Sequence, residues 1–361
     1  AFNGYGNSEI ARLNGMVIEQ RGIVGIDDSD SVLENIFKML HRLFSRSGPK
    51  MEVSAILGTC SRQVLTDDKG YFFVEICSDG LNLSGRFSSH IVLKLLRNPR
   101  NPCATTVGEI MIPPGTAKFG VISDIDDTII YTGATNRIRM TLLVLMKKNS
   151  LRLPFPGASA FYRALQQGKR GAGFNPFFYV TSSSWRMYDI MQDFLSRHEF
   201  PNGPILMRAI RITRSSLLDP IRHNHKLKVF QQIIETYPKL PFLLIGDSGQ
   251  KDAEIYTEIV SRFPGRIPVL YIHDILPTKS RRKAISELAE KVSSAGSELL
   301  LVKNTMEAAR HAASRGWIEP DRLSEIDDQM KREIPIEPPL SLSGKSGAAA
   351  DLFYQTPPKW N

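Results

Sequence analysis

From residue 119 to residue 302 the sequence alternates short, unbroken apolar runs with stretches whose apolar residues recur at helical spacing. No other feature restricts the possible folds as much. The runs Phe119–Ser123, Phe177–Thr181, Ile205–Ile210, Phe242–Ile245, Ile267–Ile272 and Leu299–Val302 read as strands. Between them, Met187, Ile190, Met191, Phe194 and Leu195 mark one amphipathic helix, and Leu227, Phe230, Ile233, Ile234 and Tyr237 another. Strands without polar alternation are apolar on both faces, so helices must cover both sides of a parallel sheet. The expectation is a Rossmann-like α/β domain, and such sheets bind ligands beyond the carboxyl ends of their strands.

The first 115 residues read differently. Met51–Gly58, Tyr71–Cys77, His90–Leu96 and Glu109–Ile112 are short strand candidates, with turn chemistry in Thr66-Asp67-Asp68-Lys69-Gly70. One helix is expected from a cap at Asp30 or Ser31, through Leu33, Ile36, Phe37, Leu40, Leu43 and Phe44, to a stop at Gly48-Pro49. A smaller β-rich, sandwich-like domain fits residues 1–115, and the Thr-Asp-x-x-Gly-Tyr-Phe stretch resembles a hairpin of prealbumin-like modules. Pro113-Pro114-Gly115 marks the boundary to an α/β domain over residues 116–333. That domain includes a helix from about Thr305 to Arg315, opened by Asn304 and Glu307 at capping-box spacing. The Pro-, Ser-, Gly- and Ala-rich residues 334–361 read as a flexible tail.

A net charge of +9 favours anionic partners. Cys60, Cys77 and Cys103, an odd set without CxxC spacing, argue against a disulfide framework or a structural zinc and for a reducing compartment. No apolar run has the length of a membrane span, and no signal peptide is evident. These features suggest a cytoplasmic protein.

Chemistry concentrates in Val121-Ile122-Ser123-Asp124-Ile125-Asp126-Asp127-Thr128. Three acids at the end of an apolar strand are costly unless a cation lies among them. Asp124 is placed to attack phosphorus, and Asp126, two residues on, can lie on the same side as a general acid/base. Asp127 reads as local architecture. Three more segments converge on the same strand ends. Thr181, Ser182 and Ser183 offer hydroxyls to phosphoryl oxygens. Lys226 follows His225 at the start of a helix, with Lys228 a competitor for its role. Gly246-Asp247-Ser248-Gly249-Gln250-Lys251-Asp252 adds Asp247 for direct Mg²⁺ coordination and Asp252 for an outer or water-mediated contact. The expected cation lies among Asp124, Asp126, Asp247 and Asp252. His223 and His225 are not expected as its ligands, because Mg²⁺ prefers oxygen.

In this order the four segments resemble those of haloacid-dehalogenase-type phosphatases: DxDxT, a hydroxyl after a strand, a lysine, and GDxxxxD. More narrowly, ISDIDDTI, FFYVTSSSW and LIGDSGQKDAEIY resemble the catalytic domain of the actin-patch phosphatidate phosphatase family, over about residues 118–275. That family is similar in mechanism to the lipins. The resemblance implies Mg²⁺-dependent hydrolysis of phosphatidate to diacylglycerol and phosphate through an aspartyl-phosphate. It implies Asp124 as nucleophile, Asp126 as acid/base, Thr181 or Ser182 as phosphate-binding hydroxyl, Lys226 as the lysine and Asp247 as metal ligand. The family usually has Ser-Ser-Ser-Pro-Trp where this chain has Thr-Ser-Ser-Ser-Trp, which leaves Thr181, Ser182 and Ser183 as alternatives.

Two stretches bear on the substrate. Ile138–Lys148 is an apolar helix ending in two lysines, suited either to packing on the sheet or to touching lipid as a lid. Residues 201–240 hold seven lysines or arginines against two acids, including Arg208, Arg211, Arg214 and Arg222. A basic rim suits peripheral contact with an anionic membrane surface. The alternative reading keeps the chemistry and replaces the lipid by a soluble phosphomonoester or a phosphoprotein. A third reading is a scaffold whose β-rich part acts on its own. No DNA- or RNA-reading motif is present, so nucleic acid is not an expected partner.

Overall fold

The computed structural model describes residues 2–18, 48–78, 87–96, 104–125, 155–169, 174–208 and 221–333. The helix expected near residues 31–47, the Ile138–Lys148 helix, Asp126, Asp127 and the tail from residue 334 lie outside them.

Two sheets organise the described chain. The first has seven strands: β1 (Gly4–Gly6), β2 (Ile10–Met16), β3 (Glu52–Leu57), β4 (Cys60–Leu65), β5 (Tyr71–Cys77), β6 (Ser88–Leu95) and β7 (Thr105–Met111). Their order is β4-β3-β6-β7-β1-β2-β5, antiparallel except where β1 lies parallel to β7. In β5 the inward side chains are Phe72, Val74 and Ile76, alternating with exposed Phe73, Glu75 and Cys77. That period of two gives the sheet one buried face, filled by Leu13, Val53, Leu57, Ile91, Leu93 and Ile110.

Thr66–Gly70 does not close a hairpin ladder. It joins β4 to β5, which stand at opposite ends of the strand order. Thr66 Oγ1 accepts from Met51 N–H at 2.8 Å and donates to Gly48 O at 2.7 Å. Asp67 Oδ1 accepts from the N–H groups of Lys69 and Tyr71. Gly70 adopts φ 78°, a conformation that favours glycine. The same two edge strands carry a disulfide between Cys60 and Cys77. The cysteine reading is corrected here: pairing depends on the sheet curling until its edges meet, and the linear spacing carries no trace of that.

The second sheet is parallel throughout: β8 (Gly120–Asp124), β9 (Phe177–Ser184), β10 (Ile205–Arg208), β11 (Phe242–Asp247), β12 (Val269–His273) and β13 (Glu298–Val302), in the order β10-β9-β8-β11-β12-β13. Every residue of β8, β11 and β12 is buried, as their unbroken apolar character requires. Helices α1 (Ala158–Gln167), α2 (Tyr188–Arg197), α3 (Ile221–Thr236), α4 (Asp252–Arg262), α5 (Lys279–Ser294), α6 (Thr305–Ser314) and α7 (Arg322–Glu333) accompany it. One face holds Val121, Tyr162, Phe177, Ile245 and Tyr271; the other holds Ile122, Phe178, Phe230, Leu244 and Ile259. The cap expected at α6 is present, with Asn304 Oδ1 accepting from Glu307 N–H at 3.0 Å.

The chain start reaches the parallel sheet. Phe2 stacks on Trp185 with ring centroids 4.4 Å apart, and Tyr5 meets Phe178 edge-on. Among the described residues no helix is long and apolar enough to cross a membrane.

Candidate active site

The carboxyl ends of β8, β9 and β11 bring the predicted residues together. Asp124 closes β8 and pairs in register with Val180, so Thr181 begins one residue beyond it on β9. Asp247 closes β11, which flanks β8 on the other side. Lys226 projects from α3. That helix already opens at Ile221, so the lysine sits in its second turn rather than at its start. Of the two lysines open to the sequence reading, Lys226 is buried and Lys228 exposed.

Lys226 Nζ lies 2.8 Å from Asp124 Oδ1 and 2.8 Å from Asp252 Oδ1. Burial alone would lower the lysine's pKa, but Asp124 and Asp252 outweigh it and hold the ammonium well above its ordinary value. Asp252 reaches this position because α4 begins at it, and Gly246 lets the helix start approach β11. A Cβ on Gly246 would come within 2.9 Å of Asp252 Oδ2 and 2.8 Å of the Tyr256 ring. Asp252 and Glu254 also place negative charge in the first turn of α4, where the helix dipole favours it.

Asp247 organises its own loop. Its Oδ1 accepts from the N–H groups of Gly249 at 2.7 Å and Gln250 at 3.0 Å. This turn carries Gln250 toward Asp124, with Nε2 at 3.5 Å from Asp124 Oδ2. Behind Asp124, Ser123 Oγ lies 2.8 Å from Tyr162 Oη and donates to Asp124 O.

Asp124, Asp247 and Asp252 are all buried, with one carboxylate atom of each within 4.8 Å of the others. Among the described residues, these three carboxylates meet one ammonium, that of Lys226, which leaves two formal negative charges. Such a deficit is expensive in a buried site, and an all-oxygen donor set with charge −2 fits a hard divalent cation.

Strand β9 runs on through Ser184, beyond the Phe177–Thr181 run read from the sequence, so Ser182 and Ser183 also belong to the strand. Thr181 is fully buried and its Oγ1 accepts from Ser183 N–H at 3.0 Å, whereas Ser182 and Ser183 are half-buried. Pairing with β10 shifts register between Leu206 and Arg208, opposite this stretch. Bulges of this kind re-aim strand-end side chains. Asp126, Arg211 and Arg214 lie outside the described residues, as do the side chains of Arg208, Arg222 and His223.

Gln250 was missed as a site residue, though it stands inside the glycine-bracketed motif. Arg281, which binds the backbone of that loop, was missed for a different reason. It sits in the run Lys279-Ser280-Arg281-Arg282-Lys283, which reads as a solvated basic turn.

Residues 119–274 match the family described as phosphatidate phosphatase APP1, catalytic domain. Phosphatidate phosphatase APP1 of Saccharomyces cerevisiae is 31% identical over 154 residues, which are 43% of this chain and 25% of that protein. An uncharacterised protein of Schizosaccharomyces pombe is 23% identical over 219 residues, 59% of this chain and 34% of that protein. The chain thus spans between a quarter and about a third of the length of these relatives. A crystal structure of a carbohydrate acetylesterase from Xanthomonas citri covers 70% of each chain at 11% identity, but its TM-score of 0.22 carries no argument.

Proposed function

We propose that this protein, whose residues 119–274 match the phosphatidate phosphatase APP1 catalytic-domain family, is a Mg²⁺-dependent phosphatidate phosphatase. In this reading it hydrolyses phosphatidate to diacylglycerol and phosphate. The parallel sheet is of the haloacid-dehalogenase type and carries the active site over residues 116–333, and residues 1–115 form an accessory β-rich domain. The observation that carries the proposal is the position of Lys226, 2.8 Å from both Asp124 and Asp252 within a buried three-carboxylate cluster. A purely structural buried ion pair needs one acid for one base; the surplus of acid here asks for a cation.

The residues divide the work as follows. A carboxylate oxygen of Asp124 attacks phosphorus, and the bond from phosphorus to the diacylglycerol oxygen breaks. Asp126 donates its proton to that leaving oxygen. Water then attacks the aspartyl-phosphate while Asp126 takes the water's proton, and the bond from phosphorus to Asp124 breaks to release phosphate. Lys226 offsets charge on Asp124 and on the phosphoryl oxygens, and Thr181 or Ser182 donates to the same oxygens. Mg²⁺, held by Asp124, Asp126 and Asp247 with Asp252 further out, would supply electrostatic stabilisation of the transferring phosphoryl group. The net positive charge suits peripheral contact with an anionic membrane surface at which the enzyme meets its lipid.

The test is turnover of phosphatidate in mixed vesicles against soluble phosphomonoesters, with Mg²⁺ and with EDTA. Mg²⁺-dependent release of phosphate from vesicles, absent in Asp124→Asn and Asp126→Asn, is expected. Turnover confined to soluble esters would reject the lipid, and full activity in EDTA would reject the metal.

A further inference from the structure

Arg281 makes a set of contacts that the catalytic-domain family match does not contain, because that match ends at residue 274, before α5 begins. Its guanidinium is 15% exposed and reaches back from the first turn of α5 to the loop after β11. Nε donates to Ser248 O at 2.7 Å, and Nη2 donates to Gln250 O at 2.7 Å. Both carboxylate oxygens of Glu254, on the first turn of α4, complete the fork through Nη1 and Nη2. The arginine itself is held in place: its backbone N–H caps on Thr278 Oγ1. The loop is tied a second time by Leu276 N–H, which donates to Ser248 Oγ at 3.0 Å.

Gly249 and Gln250 donate their backbone N–H groups to Asp247 Oδ1, and the Gln250 side chain approaches Asp124. Arg281 takes the carbonyl of Ser248, which shares a peptide group with the Gly249 N–H, and the carbonyl of Gln250, whose own N–H also goes to Asp247, so one side chain grips the loop on both sides of the N–H groups that orient Asp247. The planar fork serves four acceptor atoms at once, Ser248 O, Gln250 O and both Glu254 oxygens, whereas a lysine ammonium has only three donors on a compact point charge. The Glu254 carboxylate balances the guanidinium, whose charge is also felt by Asp247 and Asp252.

The geometry points to Arg281 as a positioning residue that preorganises Asp247 and Gln250 for cation and phosphate, supplied by the helix that follows the family domain. This rests on the phosphatase reading of the site for the identity of the cation. Arg281 touches no metal ligand itself; it acts through the Gly249 and Gln250 N–H groups, and losing hydrogen bonds of that kind to a ligand typically changes metal affinity by about 10- to 100-fold.

The experiment compares wild type, Arg281→Ala, Arg281→Lys, Glu254→Gln and Lys283→Ala, the last an exposed neighbour on α5. Mg²⁺ binding is read by calorimetry, and amide hydrogen exchange is followed across residues 247–252. Arg281→Ala is expected to bind Mg²⁺ at least about tenfold more weakly and to exchange the Gly249 and Gln250 amides faster. Arg281→Lys and Glu254→Gln should fall between it and wild type, and Lys283→Ala should match wild type. Wild-type affinity and wild-type exchange in Arg281→Ala would overturn the proposal. If Arg281→Ala does not fold, Glu254→Gln decides the same question, with unchanged affinity and exchange again overturning it. If wild type binds no Mg²⁺, the metal reading fails; the clamp then stands or falls on whether loop exchange rises in Arg281→Ala.

Discussion

Lys226 Nζ lies 2.8 Å from Asp124 Oδ1, and the lysine and aspartate side chains are only 4% and 1% exposed. A buried pair of this kind says little about net stability, because desolvation of both ions opposes their attraction. It says much about what happens when one partner is removed. Lys226→Met leaves Asp124 and Asp252 facing each other without a counter-charge. We expect a loss of about 3–5 kcal/mol, measured by urea unfolding, together with loss of turnover. Lys228→Met, on the exposed side of the same helix, should stay within about 0.5 kcal/mol of wild type. Equal effects of the two substitutions would reject the assignment of the lysine.

In the proposed mechanism Asp124→Asn removes the nucleophile, and it takes away one charge while preserving shape. Turnover should fall by at least about 10³-fold, since the covalent route is lost and only positioning remains. Circular dichroism should show the native fold. Turnover within tenfold of wild type would remove Asp124 from the nucleophile role.

Cation binding to a preformed carboxylate site stabilises the folded chain. At Mg²⁺ concentrations about a hundredfold above the dissociation constant, the gain is about 2.7 kcal/mol. A rise in melting temperature on adding Mg²⁺, reversed by EDTA, should disappear in Asp247→Asn. A rise that persists in that variant would place the cation elsewhere.

His273, at the end of β12, is buried, and burial lowers its pKa from 6.5 to about 4. Its ring stacks on Phe155 with centroids 4.4 Å apart. The folded protein therefore holds it neutral while the unfolded chain takes up a proton below about pH 6.5. This contribution to stability is complete above pH 6.5, declines as pH falls, and levels off below about pH 4. The cost at pH 5 is about 2 kcal/mol relative to pH 7. His273→Gln should flatten the stability profile by that amount between pH 7 and pH 5. An unchanged slope would show that other groups set it.

The disulfide between Cys60 and Cys77 crosses 17 residues of sequence and joins the two edges of the β-rich sheet. Closing a loop of about this length contributes about 3 kcal/mol. Cys60→Ser with Cys77→Ser should lower the unfolding midpoint of the β-rich part, and reductant should lower it in wild type only. No response of wild type to reductant would mean that the bond does not form in solution.

Much of the parallel sheet was legible because its signal is local. A strand buried on both faces must be apolar throughout, and Val121-Ile122, Phe177-Phe178 and Leu243-Leu244 announce that directly. Strands β1 and β2 were not read, since glycine and polar residues interrupt them (Gly4, Gly6, Arg12, Asn14) and their pairing with β7 and β5 is long-range. The acids of the site were legible for the same local reason: carboxylates at the end of an apolar strand have no cheap structural use.

By itself the sequence determined which chemical groups are available to the site: Asp124, Thr181, Lys226, Asp247 and Asp252. Tertiary structure alone decided which of them meet and what holds them. Lys226 was chosen over Lys228 because helix α3 turns one toward Asp124 and the other to solvent. Asp252 became the lysine's second partner because Gly246 admits the start of α4. Arg281 gained its role through two backbone carbonyls, and every residue has a carbonyl. Contacts between distant segments depend on how elements pack, and a local pattern of residue types cannot encode that distance.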